Sequence, residues 1–435
     1  MKGLLLTVGL IALGVPTRAV HAGYLLGGSA QISNESKALL DRHADMLTLG
    51  INTDWLANAA IDADLFVQAV STAVEAVESG VIPGAVLYAD RIAQIMMPVG
   101  VGYQITHPER RRVVYDQRYE LHELTGPLVT VPLALQTISS GRLDPKAKLG
   151  TLLTAFSDSD KAELTVEQLL RHTSGFPSSF DIPGSLLKKE EIPGVLLNLP
   201  LDAEPQPSIA NWLLLGMIVE SIEGKTLEEL AQTALMERFD LHVSTFGVVA
   251  ENRGGVAPGP YDEKLGRMAW GDARDPFAMV WHGPPARSIP VMTMDYRVVE
   301  PWAVKLAPHY GLVSAADDLG TLARTLLIPA VAGQFTTWDS APAVSKYLIL
   351  PTDDQSRNWG FETGRHAAGT IGWDARQGSS FWMVPARQGF VLFLCNAEHP
   401  AGIHPQFEQT RAEIIGLLLK AMDHPWPATS IDAAP

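Results

Sequence analysis

Thr165-Val166-Glu167-Gln168-Leu169-Leu170-Arg171-His172-Thr173-Ser174-Gly175-Phe176-Pro177 is the stretch on which the fold turns. Thr165 and Gln168 stand three residues apart ahead of two leucines, the spacing of a capping box in which each side chain satisfies the other's backbone N–H. A short helix is expected there, stopped before Gly175 and Pro177. Upstream, residues 65–78 have helical spacing and stop at Gly80, and residues 132–138 read as a helix stopped by Gly141. Pro83-Gly84 makes a turn before two apolar strands, expected at 85–88 and 92–101. Downstream, residues 212–222 form a helix ended by Gly224, Thr226 to Glu229 repeats the capping box, and Ser314 to Asp317 opens a helix through Leu319, Leu322 and Leu326. Residues 380–384 and 389–395 read as strands joined by Pro385-Ala386-Arg387-Gln388, and a final helix spans about 406–422. Strands at both ends with helices between them predict one α/β domain, its sheet built from both ends of the chain and a mostly helical lobe inserted at about 105–330.

The chain has 435 residues, 46% hydrophobic and 19% charged, which is ample for a buried core. Its 37 glycines and 30 prolines make about 15%, too few for a collagen-like or low-complexity chain. The 48 acidic residues outnumber the 33 basic ones and the formal net charge is −15, which argues against nucleic acid and anionic membrane partners. The strongest basic cluster, Arg110-Arg111-Arg112 after Glu109, reads as a solvated loop. Cys395 is the single cysteine, so intramolecular disulfides and paired-cysteine zinc sites are excluded; its apolar neighbours 390–394 place it in the core.

Lys2, an apolar run over 3–15 and Val20-His21-Ala22 have the order of a secretory signal with cleavage near Ala22. The run is shorter than the roughly 20 residues of a membrane-spanning helix. The expected organisation is a signal peptide at 1–22, an N-terminal extension at 23–62, the domain at 63–425 and a loose tail at 426–435, in a protein that is secreted or periplasmic.

Six phrases in order resemble the serine β-lactamase and penicillin-binding-protein superfamily, and within it the β-lactamase-related serine hydrolases and esterases. They are 79–87, 141–145, 169–177, Leu214-Leu215-Gly216, 309–319 and 396–400. The resemblance covers about 63–423 and implies that family's fold, an antiparallel sheet flanked by helices.

It also implies three catalytic motifs, and none matches. Ser-x-x-Lys pairs a nucleophile with its base one helical turn away. Counting back from Gly141 puts Glu123 at the serine position and Gly126 at the lysine position. Thr125 lies between them and reads as the helix cap ahead of Pro127. The Tyr-x-Asn position falls on Pro207-Ser208-Ile209, with Asn211 available only after a two-residue slip. The Lys-Thr-Gly or His-Thr-Gly position falls on Thr370-Ile371-Gly372, where the cation is missing; a rival register, Trp373-Asp374-Ala375, keeps less of the motif. Ser185-Leu186-Leu187-Lys188 matches the first motif in letters but lies after the 169–177 phrase, on the wrong side. No Gly-x-Ser-x-Gly elbow is present.

These losses point to a ligand- or partner-binding pseudoenzyme rather than a serine acyl-transferase. The ligand candidates are Glu123, Thr125, Ser208, Asn211, Thr370 and Trp373. The expected partner is a cell-wall fragment, a peptide or a small ester or amide, with no cofactor and no metal. The alternative is an active serine hydrolase of β-lactamase, esterase or D-amino-acid peptidase type with a relocated or repurposed site. His172 and His309 read as turn-bonding groups, and His399 and His404 as a solvated loop. Residues 280–307 form an insertion rich in aromatic and methionine side chains, such as Trp281 and Met292, which suits a lid or a satellite core equally.

Overall fold

A computed structural model describes residues 26–27, 32–48, 51–92, 96–178, 180, 191–247, 255–259, 261–262, 267–270, 280–282, 311–327 and 357–423. The expected signal peptide, the Ser185-to-Lys188 match, His309 and the tail lie outside the described residues. So does the 280–307 insertion, apart from Val280–His282, a strand paired with Arg267–Trp270.

Among the described residues eight strands make the main sheet, and neighbours in it are antiparallel throughout. They are β1 (Gly84–Arg91), β2 (Val99–Ile105), β3 (Arg111–Arg112), β4 (Arg357–Asn358), β5 (Phe361–Thr363), β6 (Ile371–Asp374), β7 (Ser380–Val384) and β8 (Gly389–Cys395). Their spatial order is β4-β5-β6-β7-β8-β1-β2-β3, so the late strands meet the early ones where β8 pairs with β1 along its whole length. This is the sheet from both chain ends that the element order predicts. The second strand starts later than its apolar run, at Val99, and Arg111-Arg112 is an edge strand rather than a loop. Arg110 and Arg112 stack over the Tyr103 ring, which holds them there.

Every residue of β1 is buried because both sheet faces are covered. On one face Tyr88 meets Gly320 of α5 (Ala316–Leu327), and Arg324 of that helix donates to the Tyr88 hydroxyl at 2.8 Å. From the other face Arg91 donates to the carbonyls of Ala59, Ala60, Arg387 and Met422, tying the segment before α1 (Ala63–Glu78) to the end of α6 (Phe407–Ala421). Residues 32–48 and 51–61 share this core through Leu40, Leu47, Ile51 and Leu56. Cys395 is buried within it, and burial pushes its thiol well up.

The expectation of a solvated His399 fails for a clear reason. Its ring is buried between two segments: Nε2 accepts from the Thr106 N–H at 3.0 Å and Nδ1 faces the Gly259 carbonyl at 2.9 Å. One nitrogen must accept and the other donate, so the ring is neutral. Burial pushes its pKa down to about 4, with the Gly259 contact opposing and His107 assisting. The unfolded chain therefore binds the extra proton between about pH 6.5 and 4, and stability falls as pH drops through that window. His399→Gln keeps an acceptor and a donor but cannot titrate. Urea midpoints of the variant should lose a pH dependence worth about 3 kcal/mol in this window; an unchanged slope would refute the assignment.

Candidate functional site

A cleft of about 330 Å³ opens between the turn at His122–Leu124, Ser178, the start of α4 (Ile209–Glu223), β5 and the residues after it, the end of β6 and the start of α6. Glu123, Trp212, Trp373, Asp374, Arg365 and Arg376 are among its walls.

Glu123 lies in a tight 3-10 turn pinned by the Leu121 N–H on the Leu312 carbonyl at 2.8 Å. After it the chain winds one wide π-helical stretch, Gly126–Thr130, into α2 (Val131–Ser139). Pro132 has no N–H to give the carbonyl four residues back, which favours the wider winding at that point. Both carboxylate oxygens of Glu123 are taken by one residue. Oε1 meets Arg376 Nε at 2.9 Å and Oε2 accepts the Arg376 backbone N–H at 2.9 Å.

Position 126, where the motif count puts the lysine, is closed by shape. A Cβ on Gly126 would stand 2.3 Å and 2.4 Å from ring carbons of Trp212. Trp212 is 1% exposed and packs edge-on against His172 at 5.0 Å and Trp373 at 4.9 Å. This aromatic group occupies the space beside residue 126. His172 sits under it in a left-handed backbone conformation, φ 52°. Its Nδ1 accepts from the Ser208 N–H at 3.2 Å and lies 2.8 Å from Asn211 Nδ2. A backbone N–H can only donate, so the Nδ1 atom is unprotonated. Asn211 turns its oxygen to the Ser174 hydroxyl at 2.6 Å.

Four expected site residues are thereby spent on the fold. Asn211 is fully buried in the His172 network. Thr125 is not a helix cap: its buried hydroxyl accepts the Leu312 N–H at 3.1 Å, joining the turn to the strand Leu312–Ser314. Thr370 is buried and donates to the Ala367 carbonyl at 2.7 Å, away from the cleft walls. Gly372 is required by the sheet, since a Cβ there would meet the Phe381 carbonyl at 2.2 Å and the Trp382 ring at 2.6 Å. Ser208 and Ile209 do line the cleft, but the Ser208 hydroxyl caps α4 by accepting from the Ala210 N–H. The rival register, with Trp373 and Asp374, is the one that reaches the cleft.

Beyond Glu123 and Asp374, the charged residues of the cleft, Arg365, Arg376, Arg411 and the carboxylates of Glu362 and Glu408, carry no signal of their own in the sequence. Asp374 Oδ2 meets His366 Nε2 at 2.8 Å and Arg365 Nε at 3.2 Å, and Oδ1 accepts the Trp382 indole N–H at 2.7 Å. Burial opposes its ionisation, but the His366 bond, the Arg411 charge and the Trp382 bond hold its carboxyl well below the usual carboxylate range. Arg365 also donates to Glu362 at 3.0 Å, and Arg411 donates to the Ala375 carbonyl at 2.6 Å and to Glu408. Taking Trp373-Asp374-Ala375 as the motif would have put Arg376 beside the site at once.

This arrangement can bind polar and charged groups against an aromatic wall. Serine acyl transfer needs a hydroxyl with a base beside it. Among the described residues, the two serines of the cleft, Ser178 and Ser208, hydrogen-bond neither lysine nor tyrosine. No group of three or more metal-ligating side chains occurs among the described residues.

The sequence model of the beta-lactamase family matches residues 71–413. A protein of Escherichia coli K12 named "Putative D-alanyl-D-alanine carboxypeptidase" is 23% identical over 319 residues, 66% of this chain and 71% of its own length. Among solved structures, a penicillin-binding protein homologue from Caulobacter crescentus superposes with a TM-score of 0.59 at 16% identity, covering 83% of this chain and 98% of its own. A beta-lactamase/D-alanine carboxypeptidase from Pseudomonas syringae gives 0.59 at 15% identity, with 82% and 99% covered.

Proposed function

The chain belongs to the beta-lactamase family, and we propose that within it this protein binds a ligand in the cleft without serine acyl transfer. One observation carries the proposal: residue 123 is a carboxylate held at both oxygens by Arg376, beside a glycine whose missing side chain makes room for Trp212. A carboxylate so engaged is neither the oxygen nucleophile of this chemistry nor a free base, and no amine can occupy position 126 while Trp212 is in place. Removing a nucleophile together with its base leaves only binding and residual effects. On this proposal the protein works outside the cytoplasm, following the leader read at 1–22. Its ligand is a cell-wall fragment, a peptide or a small ester or amide, a class that includes the D-alanyl-D-alanine peptide and the β-lactam named for its relatives.

Labelling by fluorescent penicillin and by a fluorophosphonate, with nitrocefin turnover alongside, tests the proposal. Neither reagent should leave a stoichiometric adduct, and nitrocefin should not turn over above a heat-denatured control. A stoichiometric adduct that maps to Ser178, Ser185 or Ser208 would overturn it in favour of a relocated hydrolase site.

A further inference from the structure

We infer that Glu123 is a tethered occupant of an oxyanion site made by Arg376, and that the cleft's ligand carries an anionic group which takes its place. The inference rests on the cleft being a binding site, as proposed above. Arg376 holds the Glu123 carboxylate in two ways, by a hydrogen bond from its backbone N–H and by an ion pair from Nε, both at 2.9 Å. A backbone N–H and a guanidinium charge meeting on one carboxylate suit charge-assisted oxyanion recognition. The two partners are placed unequally. The Glu123 side chain is 12% exposed and comes from the wall, whereas that of Arg376 is 51% exposed at the mouth. The guanidinium is thus open to an outside ligand, and the anion it meets is supplied by the chain itself.

The surrounding charge fits an exchange of anions better than the arrival of a new one. Arg365, 46% exposed on the same cleft, spends Nε on Asp374 and Nη1 on Glu362. Among the described residues, its Nη2 and both Nη atoms of Arg376 have no protein acceptor. A ligand oxyanion that displaces Glu123 inherits donors already arranged, and one anion leaves as another enters. The cost of burying an additional charge is therefore avoided.

The tether also gives selectivity. A carboxylate that the fold already seats against its partner competes at an effective concentration far above the roughly 100 mM of a free anion in solution. Free small anions bound by two or three hydrogen bonds lose to it. A ligand whose remaining surface packs on Trp212 and Trp373 can win. Removing Glu123 should then admit small anions that the wild-type protein refuses.

Thermal unfolding at fixed ionic strength in chloride, acetate or inorganic phosphate reads this directly. Glu123→Ala should gain about 3 °C or more in Tm from about 100 mM acetate or phosphate over chloride, whereas wild type and Glu123→Gln should move by less than about 1 °C. The larger of the two responses identifies a planar or a tetrahedral oxyanion as the preferred group. Adding Arg376→Met to Glu123→Ala should abolish the gain. No gain in Glu123→Ala, or an equal gain in the double variant, overturns the inference. Glu123→Ser serves if the alanine variant does not fold; if neither folds in any of the three salts, the carboxylate is a structural necessity and the inference falls. Fluorophosphonate labelling of the wild-type protein separates the two ideas. An adduct removes the non-acylating proposal, whereas a missing anion response without an adduct removes the tethered occupant alone.

Discussion

Gly126→Ala is expected to lower the unfolding free energy by about 3 kcal/mol, a large effect for one methyl group. The methyl carbon would stand 2.3 Å from the Trp212 ring, far inside van der Waals contact. The ring cannot retreat cheaply, because His172 and Trp373 pack against it and it is 1% exposed. Close-packed interiors transmit such strain instead of absorbing it. Gly126→Lys should be worse, and Glu123→Ser with Gly126→Lys, which restores the letters of Ser-x-x-Lys, should neither stabilise the protein nor take up a fluorophosphonate. Trp212→Leu frees the space at a cost of its own. Gly126→Ala in that background should therefore cost less than in wild type, a coupling readable by urea denaturation of the four proteins of a double-mutant cycle. Additive costs would show that Trp212 is not what holds position 126 as glycine.

That pairing explains why the site was only partly legible in the sequence. The fold was legible because its signals are local and ordered: the capping box at Thr165 and Gln168 opens α3 (Val166–Leu170) as its spacing predicts, and α4 ends at Gly224 in a left-handed cap. Positions 123 and 126 could be singled out in the sequence, because phrases on either side fixed the count. What surrounds them in the fold was not legible. Trp212 reads as one more apolar residue of a helix buried on nearly all sides, and only the meeting of α4 with the 122–130 turn makes it the neighbour of Gly126. Arg376 and Glu123 are 253 residues apart, and no local pattern joins them. His399 failed for the same reason: its partners, Thr106 and Gly259, are remote in sequence. Thr125 and Thr370 show the converse error. A hydroxyl near a motif invites a functional role, yet each serves one backbone hydrogen bond.

Asp374→Ala should be the most destabilising change at the cleft, at about 3–5 kcal/mol, the range for stripping one partner from a buried charge cluster. The substitution takes the acceptor from His366, Arg365 and the Trp382 indole at once and leaves the buried Arg411 without that nearby charge. Asp374→Asn keeps an oxygen for Trp382 and should cost less than the alanine variant. The pH dependence discriminates further. The folded-state pKa of Asp374 is depressed, so its stabilisation is complete above the ordinary carboxylate value of about 4 and is lost as pH falls below it. His399 acts in the opposite chemical sense, a neutral ring resisting protonation, and its contribution fades above that value, between about pH 6.5 and 4. The two windows adjoin without overlapping. Denaturant midpoints against pH should therefore show His399→Gln flattening the upper window alone, and Asp374→Asn converging on wild type only below about pH 4. An Asp374→Asn deficit that persists unchanged to pH 2 would mean that the carboxylate's charge contributes nothing to holding this cleft together, and that shape alone does so.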